Sequence, residues 1–587
     1  MTGSPAKDTA LPPLPAPEWR LRAPPDPEIV RHLCRELSLP SSICGILAGR
    51  DLTDPRRAKR FLRPRLDDLH PPSELVDLDR ASDRILSAIS SGETILVHGD
   101  YDVDGVCAAA LLTLWIRRLG GTVVPFVPHR LKDGYDLGDA GIGAAVEAGA
   151  SLIVTCDSGT VAHAAVRDAG TRGIEVIVTD HHLPGGALPP ALAVVNPNRR
   201  DCDYPSPQLC GTGVVFKLCQ GLAAVAGVSS DELWPHLDLV VLATVADLVP
   251  LTGENRVLVR FGLRYLAHTT KPGIRALIRA SGLSDRSGID EGQVGFVLGP
   301  RINAVGRLGD AKLALRLMLT DDPDEAERLA EMLERTNRLR REEDRATLDG
   351  ALDRLAVEFD STRDFGVVLS GEGWHPGVIG IVASRLVERL QRPVVMIAMD
   401  GDQGRGSARS IRGVHLLRAI EAGSEHLKRF GGHAQAAGLD VSRESLHSFR
   451  SAFNDNVREQ LQGRIPRPRL GGDHEIGLGE ATTDLHRLLE HVGPFGIGNP
   501  RPVFWAKGLR LVGAAKVVGD GHLKLRLGDG DHEMEAIGFG LAERLPPRSL
   551  GSGRLDALFH LRENEYMGKR TLQAKILDLR LAGDCAK

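Results

Sequence analysis

The sequence predicts a multidomain α/β protein with a parallel-sheet domain, a long connecting helix, a second α/β domain and a C-terminal β-barrel. Three observations support this prediction. Short apolar runs alternate with helical patterns over residues 81–197, a charged helical stretch follows at 321–349, and short strands separated by glycine turns follow Gly463. Because 587 residues are too many for one hydrophobic core, several domains are expected.

The alternation over residues 81–197 is typical of βαβ units. Apolar strands that alternate with helices form a parallel sheet with helices on both faces. The predicted strands are 94–97, 122–127, 152–156, 175–179 and 192–196, and the predicted helices are 106–119, 139–148 and 161–170. Residues 212–248 and most of 273–359 are also predicted to be helical.

A second α/β domain is predicted from Phe365, followed by a β-rich region. Its strands are 367–370 and 394–398, its helices are 378–390 and 416–422, and a glycine-rich turn at 430–438 closes it. Residues 465–469 are proline-rich and are interpreted as a linker. A small barrel is predicted from strands at 509–512, 522–526, 534–538, 554–560 and 571–579.

Composition excludes several classes of protein. Hydrophobic residues make up 42% and charged residues 26%, and no apolar run is long enough to span a membrane. Eight cysteines without a CxxC pair argue against a disulfide framework and predict a reducing, cytoplasmic compartment. A net charge of −4 is not typical of a nucleic-acid binder, although a groove requires only local positive charge. Residues 1–27 are predicted to be a disordered lead-in.

Acidic and histidine side chains follow three of the predicted strands. The carboxyl ends of parallel strands meet at one edge of a sheet, so these side chains are expected to share one site. Carboxylates and imidazoles without thiolates favour Mn²⁺ or Mg²⁺, and the number of ligands favours two bridged ions. The candidates are His98, Asp102 and Asp104, then Asp157, then Asp180, His181 and His182, with Asp247 at the end of a predicted helix.

These residues also allow simpler interpretations. Asp100, Asp102 and Asp104 match the opening of an EF-hand loop, but the twelfth position is Leu111 rather than glutamate. His98 alone could be a hydrogen-bonded structural histidine, and any single aspartate here could cap or end a helix. The joint occurrence of Asp-x-Asp and Asp-His-His after buried strands favours the metal site.

At these positions the sequence resembles the DHH phosphoesterase superfamily, whose four motifs the candidates match in order. Over residues 61–581 it resembles the RecJ-type exonucleases. Segments 371–385, 406–410 and 431–438 look like the accessory DHHA1 domain, 299–307 looks like the linking-helix region, and 494–504 and 564–573 look like the terminal OB-like barrel. One departure is Ala408, because glycine is commoner in the family between Ser407 and Arg409.

The resemblance implies a domain organisation. It places a partly disordered N-terminal lead-in at 1–60, a DHH catalytic domain at 61–320, a connecting helix at 321–360, a DHHA1-like domain at 361–462 and an OB-like single-strand-binding domain at 463–587.

The resemblance also implies an activity. It is the metal-dependent 5′-to-3′ hydrolysis of single-stranded DNA to 5′-mononucleotides, in DNA repair and recombination. One Mn²⁺ or Mg²⁺ would be held by His98, Asp102 and Asp157, and the other by Asp104, Asp157, His181 and Asp247. His182 would contact the phosphate or donate a proton, and Asp180 would orient an imidazole.

The terminal phosphate and the DNA require further contacts. The residues that match family positions for them are Arg130, Arg301, Asn303, Arg307, Ser407, Arg409 and His433. Glycines beside His433 could alternatively serve only a tight turn. In the barrel, Trp505, Tyr566, Arg562 and Lys569 are candidates for strand contact, whereas Phe504 and Phe559 are expected in the core.

Two other hypotheses remain open at this point. One is a DHH phosphodiesterase that acts on short RNA or cyclic dinucleotides, which would not need the terminal barrel. The other is a non-catalytic DNA-binding scaffold, which the filled ligand positions disfavour. The resemblance implies a single-strand-binding protein and helicases as partners, no membrane contact is expected, and the absence of a heptad stripe predicts a monomer.

Overall fold

The computed structural model of the chain describes residues 16–283, 288–551, 553–566 and 569–583. The chain divides into two units. One comprises the described residues up to Pro55, then Arg340–Leu489 and everything from Pro502 onward, and the other comprises Arg56–Leu339 and Glu490–Arg501. Within the described residues, no helix has the length and apolar character needed to cross a membrane.

The N-terminal region is ordered from residue 16. A short strand is followed by three helices: β1 Glu18–Leu21, α1 Pro27–Leu37, α2 Ser41–Gly49 and α3 Pro55–Leu62. Asp26 caps α1, because its side chain accepts a hydrogen bond from the Glu28 N–H at 2.8 Å. The prediction of a disordered lead-in over residues 1–27 is therefore wrong from residue 16 onward, and residues 1–15 lie outside the described residues.

A five-stranded parallel sheet forms the centre of the second unit. Its strand order is β3-β2-β4-β5-β6. Alternate residues of the strands face two different cores, with Val97 and Val154 on one side and Leu96 and Ile153 on the other. The predicted parallel sheet is confirmed. Its elements are α4 Leu78–Ser90, β2 Thr94–His98, α5 Val103–Arg118, β3 Thr122–Phe126, α6 Asp139–Glu147, β4 Ala150–Cys156, α7 His163–Thr171, β5 Glu175–Thr179 and β6 Ala193–Val195.

Helices complete this unit and lead into the connecting helix. They are α8 Gly211–Ala226, α9 Leu237–Ala246, α10 Gly253–Ala267, α11 Pro272–Ala280, α12 Glu291–Gln293, a π-helical turn Val294–Leu298, α13 Gly299–Leu308, α14 Lys312–Leu319 and α15 Pro323–Glu358. The 36 residues of α15 form one helix, as the charged pattern predicts. It is not exposed on all sides, since Leu329 and Leu333 pack into the core of this unit.

The second α/β domain contains a mixed five-stranded sheet in the order β10-β11-β9-β8-β7. Only β7 and β8 pair in parallel, and the other neighbours are antiparallel. The elements are β7 Val367–Glu372, α16 Ile379–Leu390, β8 Val394–Asp400, β9 Gln403–Arg409, α17 Leu416–Glu421, β10 Leu427–Gly432, β11 Ala436–Ser442 and α18 Leu446–Gln460.

The C-terminal region folds into the predicted barrel. Its seven strands follow the order β13-β14-β18-β19-β17-β16-β15, and β14 also pairs with β16. The N-terminal β1 pairs with β12, and the Trp19 indole donates a hydrogen bond to Asp578 at 2.7 Å. The elements are β12 Arg469–Gly472, β13 His474–Glu475, α19 Thr483–Val492, β14 Phe504–Leu511, β15 Lys516–Val518, β16 His522–Gly528, β17 Glu533–Gly538, β18 Leu555–Tyr566 and β19 Lys569–Leu581.

Candidate metal centre

The loop between β2 and α5 folds tightly on itself. Asp102 caps α5, and its carboxylate accepts hydrogen bonds from the Asp104 N–H at 2.9 Å and the Gly105 N–H at 3.2 Å. A Cβ atom at Gly99 would lie 2.4 Å from the carbonyl oxygen of Gly105, and one at Gly105 would lie 2.2 Å from the nitrogen of Asp100. Glycine is therefore required at both positions, and the turn concentrates three carboxylates at the end of a buried strand.

The N-terminus of α8 holds the carboxylate of Asp104. Its two oxygens accept hydrogen bonds from the Gly211 N–H at 2.7 Å and the Thr212 N–H at 2.6 Å. The Thr212 hydroxyl donates to the backbone carbonyl of Asp104 at 2.9 Å. The first backbone N–H groups of a helix lack partners within the helix. The Asp104 carboxylate supplies acceptors for two of these groups in α8, and these hydrogen bonds fix the position of Asp104.

His181 lies among three carboxylates. Its Nε2 atom is 3.1 Å from Asp157 Oδ1, 3.6 Å from Asp247 Oδ2 and 3.9 Å from Asp104 Oδ2. Asp157 follows β4 with a left-handed backbone (φ 63°), a conformation that is uncommon outside glycine. The strained backbone turns the Asp157 side chain toward the neighbouring ligands.

Asp180 serves the two histidines that follow it. Its Oδ1 atom accepts hydrogen bonds from the backbone N–H groups of His181 at 2.7 Å and His182 at 3.1 Å and lies 2.8 Å from His182 Nδ1. Its Oδ2 atom accepts the Thr160 N–H at 3.0 Å. Burial opposes ionisation, but hydrogen bonds from His182 and Thr160 lower the pKa of Asp180 to about 2. Burial also opposes the charged form of His182, but Asp180 raises its pKa to about 9.

Three other carboxylates of the cluster, Asp102, Asp157 and Asp247, have raised pKa values. Burial, together with repulsion from neighbouring aspartates, raises the pKa of Asp102 and of Asp157. Burial and then Asp104 raise the pKa of Asp247 to about 8. Carboxylates crowded in this way can all ionise together only if cations lie among them, so the donor set fits divalent metal ions.

The geometry defines three groups of possible ligands. They are Asp100, Asp102 and Asp157, then Asp104, His181 and Asp247, and then Asp157, His181 and His182. Within each group the ligand atoms lie within 4.8 Å of one another. Asp157 and His181 each belong to two groups, and the two oxygens of the Asp157 carboxylate would allow it to bind two adjacent ions.

Three residues differ from the sequence-based list of ligands. His182 lies in a ligand group with Asp157 and His181, although the sequence-based expectation for it is contact with the phosphate or donation of a proton. Asp100 is not among the predicted ligands, although its spacing of two residues from Asp102 is a usable signal. It lies in a ligand group, and its buried Oδ1 has no hydrogen-bond partner among the described residues. His98 lies outside the three groups, but both of its ring nitrogens are buried without a partner in the described part of the chain. Burial lowers the pKa of His98 to about 4, which keeps the imidazole neutral and able to bind a cation.

Three family models match the chain. Residues 94–244 match the model of the DHH family, N-terminal domain, residues 364–459 match the DHHA1 domain, and residues 472–578 match the RecJ OB domain. The single-stranded-DNA-specific exonuclease RecJ of Dickeya dadantii is 38% identical over 561 residues, which cover 92% of this chain and 96% of that protein. The chain belongs to the RecJ family.

Other RecJ proteins support the same assignment. The single-stranded-DNA-specific exonuclease RecJ of Escherichia coli is 36% identical over 556 residues, which cover 91% of this chain and 95% of that protein. The crystal structure of RecJ in complex with Mn²⁺ from Thermus thermophilus matches with a TM-score of 0.82 and 31% identity, covering 96% of this chain and 79% of that chain.

Four residues that resemblance to RecJ assigns to DNA lie in the unit that holds the metal centre. The Arg130 guanidinium stacks over the Tyr101 ring at 4.9 Å, and its charge acts on Asp100 and Asp102. Arg307 is half-buried and its charge acts on Tyr101. Arg301 is 5% exposed and ion-paired with Glu334, and the Asn303 side chain accepts the Val103 N–H at 3.2 Å.

The other three residues lie in the DHHA1 domain. Arg409 donates a hydrogen bond to the Ser407 hydroxyl at 3.1 Å. A Cβ atom at Gly380, in the first turn of α16, would lie 2.8 Å from that hydroxyl, so the missing side chain leaves the space beside it open. His433 is exposed in the turn between β10 and β11, where Gly432 has a φ of 147°.

The barrel residues divide into core and surface. Phe504 and Phe559 are each 1% exposed and contact each other, as expected, and Trp505 is also buried. The side chains of Tyr566 and Lys569 lie outside the described residues. An exposed lysine row, formed by Lys516 on β15 and its cross-strand neighbour Lys524 on β16, is not among the contacts predicted from the sequence.

Proposed function

We propose that this chain is a metal-dependent exonuclease that hydrolyses single-stranded DNA from the 5′ end to 5′-mononucleotides. The main support for this proposal is the cluster of carboxylates around His181. The oxygen and nitrogen atoms of this cluster lie close enough together to bind the same metal ions. Family membership indicates that the substrate is single-stranded DNA, because the matched relatives are single-stranded-DNA-specific exonucleases. A RecJ structure that matches over nearly the whole chain contains Mn²⁺, and a second contains Mg²⁺.

The residues that would hold two divalent cations are Asp102, Asp104, Asp157, His181 and Asp247, with Asp100 and His98 as further candidates. When bound, such ions acidify water and stabilise negative charge on the attacked phosphate. Asp180 holds both histidines through three hydrogen bonds and is itself fixed by a fourth, from the Thr160 N–H. His182 is half-exposed and is favoured in its charged form, so it suits contact with a phosphate oxygen or donation of a proton to the leaving oxygen.

We assign the preference for a 5′ end to two groups of side chains that can bind a phosphate. Arg130 lies beside the metal centre and is suited to a phosphate, because its planar guanidinium forms paired hydrogen bonds. Ser407, Arg409 and His433 form the corresponding candidate site in the DHHA1 domain. Arg301 and Asn303 are left out of this assignment, because protein groups already engage their side chains.

We further propose that the lysine row of the barrel binds the backbone of the strand. Lys516 and Lys524 are exposed cross-strand neighbours, and neither forms an ion pair within the described residues. Like charges placed opposite each other destabilise a sheet, so folding gives no reason for this pair, whereas a polyanion does. Phe539 is 53% exposed beside His522 and Lys575 and offers a surface on which a base can stack.

The test is a nuclease assay on a long single strand labelled at either the 5′ or the 3′ end. Duplex DNA, RNA and a dinucleotide serve as competing substrates, and Asp157→Ala is the inactive control. Immediate release of the 5′ label as a mononucleotide, dependent on Mn²⁺ or Mg²⁺ and lost in the variant, is the expected result. Preference for RNA or the dinucleotide would contradict the proposed substrate. Release of the label without a metal ion would contradict the proposed metal-dependent mechanism. The expected partners (a single-strand-binding protein and helicases), the monomeric state and the cytoplasmic location remain predictions.

A further inference from the structure

The N-terminus of α5 carries two of the candidate ligands and depends on a residue from another helix. The first four backbone N–H groups of a helix have no partner within the helix. Here the Asp104 and Gly105 N–H groups donate to the Asp102 carboxylate, whereas the Val106 N–H makes the first regular bond of the helix, to the Asp102 carbonyl at 3.0 Å. The remaining Val103 N–H donates to the side-chain oxygen of Asn303 at 3.2 Å.

The hydrogen bond from the Val103 N–H to Asn303 is made between Asp102 and Asp104, the two candidate ligands that flank Val103 in the sequence. Val103 is 1% exposed, so without Asn303 its N–H would be buried with no acceptor. An unsatisfied buried donor is destabilising, so the loop would be expected to move until this N–H found another acceptor. Such a movement would displace Asp102 and Asp104, the residues on either side of Val103.

Asn303 is itself held in place from two sides of α13. A Cβ atom at Gly306 would lie 2.6 Å from the carbonyl oxygen of Tyr101. The backbone of α13 therefore contacts the backbone of the metal loop, which is the loop 99–102 between β2 and α5. Toward the connecting helix, Arg301 donates to Glu334 of α15 at 2.6 Å and to the Val297 carbonyl at 2.7 Å. The helix that presents Asn303 is therefore clamped between the metal loop and the first part of α15.

We propose that Asn303 is a positioning residue of the metal centre and that the Arg301–Glu334 ion pair holds the helix that presents it. Asn303 and Arg301 therefore act on the geometry of Asp102 and Asp104 and do not contact the DNA. This inference rests on the proposed function for the identity of the ligands. It replaces the DNA-contact roles that family resemblance implies for Arg301 and Asn303.

The test measures Mn²⁺ affinity without DNA, by electron paramagnetic resonance of free Mn²⁺, in Asn303→Ala and Asn303→Asp. Loss of an outer contact to a ligand lowers metal affinity by about 10–100-fold, and we expect this loss in the alanine variant. The aspartate variant should bind Mn²⁺ within a few-fold of the wild type, because its carboxylate accepts the same N–H. Glu334→Ala should lose affinity in the same direction but by less.

Asn454→Ala is the matched control. Asn454 also accepts backbone N–H groups, from Phe365 at 2.7 Å and Gly366 at 3.1 Å, but it lies in the other unit and outside the candidate ligand groups. Its substitution should lower the thermal stability of its own unit and leave Mn²⁺ affinity unchanged.

A DNA-contact role for Asn303 predicts the opposite pattern. Mn²⁺ affinity would then be unchanged in Asn303→Ala, and metal-free binding of single-stranded DNA would weaken, most in the aspartate variant because its charge repels phosphate. That pattern would overturn the proposal, as would a tenfold loss of Mn²⁺ affinity in the aspartate variant. If Asn303→Ala does not fold, Glu334→Ala and Asn303→Asp decide the question. If the wild type binds Mn²⁺ but cleaves no nucleic acid, the proposed function fails while the positioning role stands.

Discussion

The backbone of Gly211 lies directly against the side chain of Asp157. A Cβ atom at Gly211 would be 2.6 Å from Asp157 Cβ and 2.7 Å from Asp157 Oδ1, while the Gly211 N–H donates to Asp104 at 2.7 Å. A glycine at the start of α8 thus allows a helix N-terminus to hold one carboxylate while a second carboxylate packs against it.

We expect Gly211→Ala to weaken the metal centre. The added methyl group must displace Asp157 or withdraw the N–H from Asp104, so Mn²⁺ affinity and kcat should each fall by about 10–100-fold. The control is Gly213→Ala, since a Cβ atom there would meet Leu209 at an acceptable 3.4 Å. Titration of Mn²⁺ and single-turnover cleavage measure the two effects, and equal behaviour of the two variants would contradict the role of Gly211.

Arg409→Ala should remove the preference for a 5′-phosphate. A charge-assisted hydrogen bond contributes about 1.5–3 kcal/mol, so the ratio of kcat/KM for 5′-phosphate over 5′-hydroxyl strands should fall by about 10–100-fold. Arg412→Ala is the control, because Arg412 is exposed and three residues away in sequence. An unchanged ratio in Arg409→Ala would place phosphate recognition elsewhere.

The double substitution of Lys516 and Lys524 by alanine should reduce the salt dependence of DNA binding. Each phosphate neutralised on a single strand contributes about 0.7 to the slope of log K against log salt concentration, so the slope should shrink by about 1.4. Fluorescence anisotropy of a labelled oligonucleotide measures it. Arg526→Ala is the control, because Arg526 lies 3.8 Å from Glu533 and 3.7 Å from Glu535 and is already compensated. A slope equal to the wild-type value would show that Lys516 and Lys524 do not bind the DNA backbone.

His236 should make the metal-binding unit less stable in acid. Burial and then Lys271, which is paired with Asp238, lower the pKa of His236 to about 3, and its ring contacts Trp115. The unfolded state, with a histidine pKa of about 6.5, takes up the proton first, so stability falls as pH drops from about 6.5 toward 3.

Chemical denaturation of the wild type and His236→Phe at pH 7.5 and pH 5.5 tests this sign. Between these two pH values the wild type should lose about 1.4 kcal/mol more unfolding free energy than the variant. The phenylalanine retains the ring contact and removes the titrating nitrogen. Parallel losses in the two proteins would show that His236 does not titrate as predicted.

The sequence predicts most of what depends on local pattern. It places the five strands of the parallel sheet within about two residues, because buried parallel strands are continuous apolar runs. Asp102, Asp104, Asp157 and His181 are expected to meet because parallel strands end at a common edge. The barrel strands β16 and β17 follow from the alternation of buried and exposed residues.

What the sequence does not predict depends on distant partners. The strand β1 forms only by pairing with β12, more than 440 residues away, so its proline-rich surroundings predict disorder. The role of Arg301 is set by Glu334 on another helix, and that of Asn303 by a backbone N–H of Val103. Periodicity contains no information about such pairs.

The most direct test of the account is the stoichiometry of Mn²⁺ binding, measured together with nuclease activity on a 5′-labelled single strand. The wild type should bind two Mn²⁺ ions per chain, activity should appear only as these sites fill, and Asp157→Asn should lose both. Cleavage that persists in the presence of a chelator, or full activity in Asp157→Asn, would contradict the assignment of the buried carboxylate cluster as the catalytic metal centre.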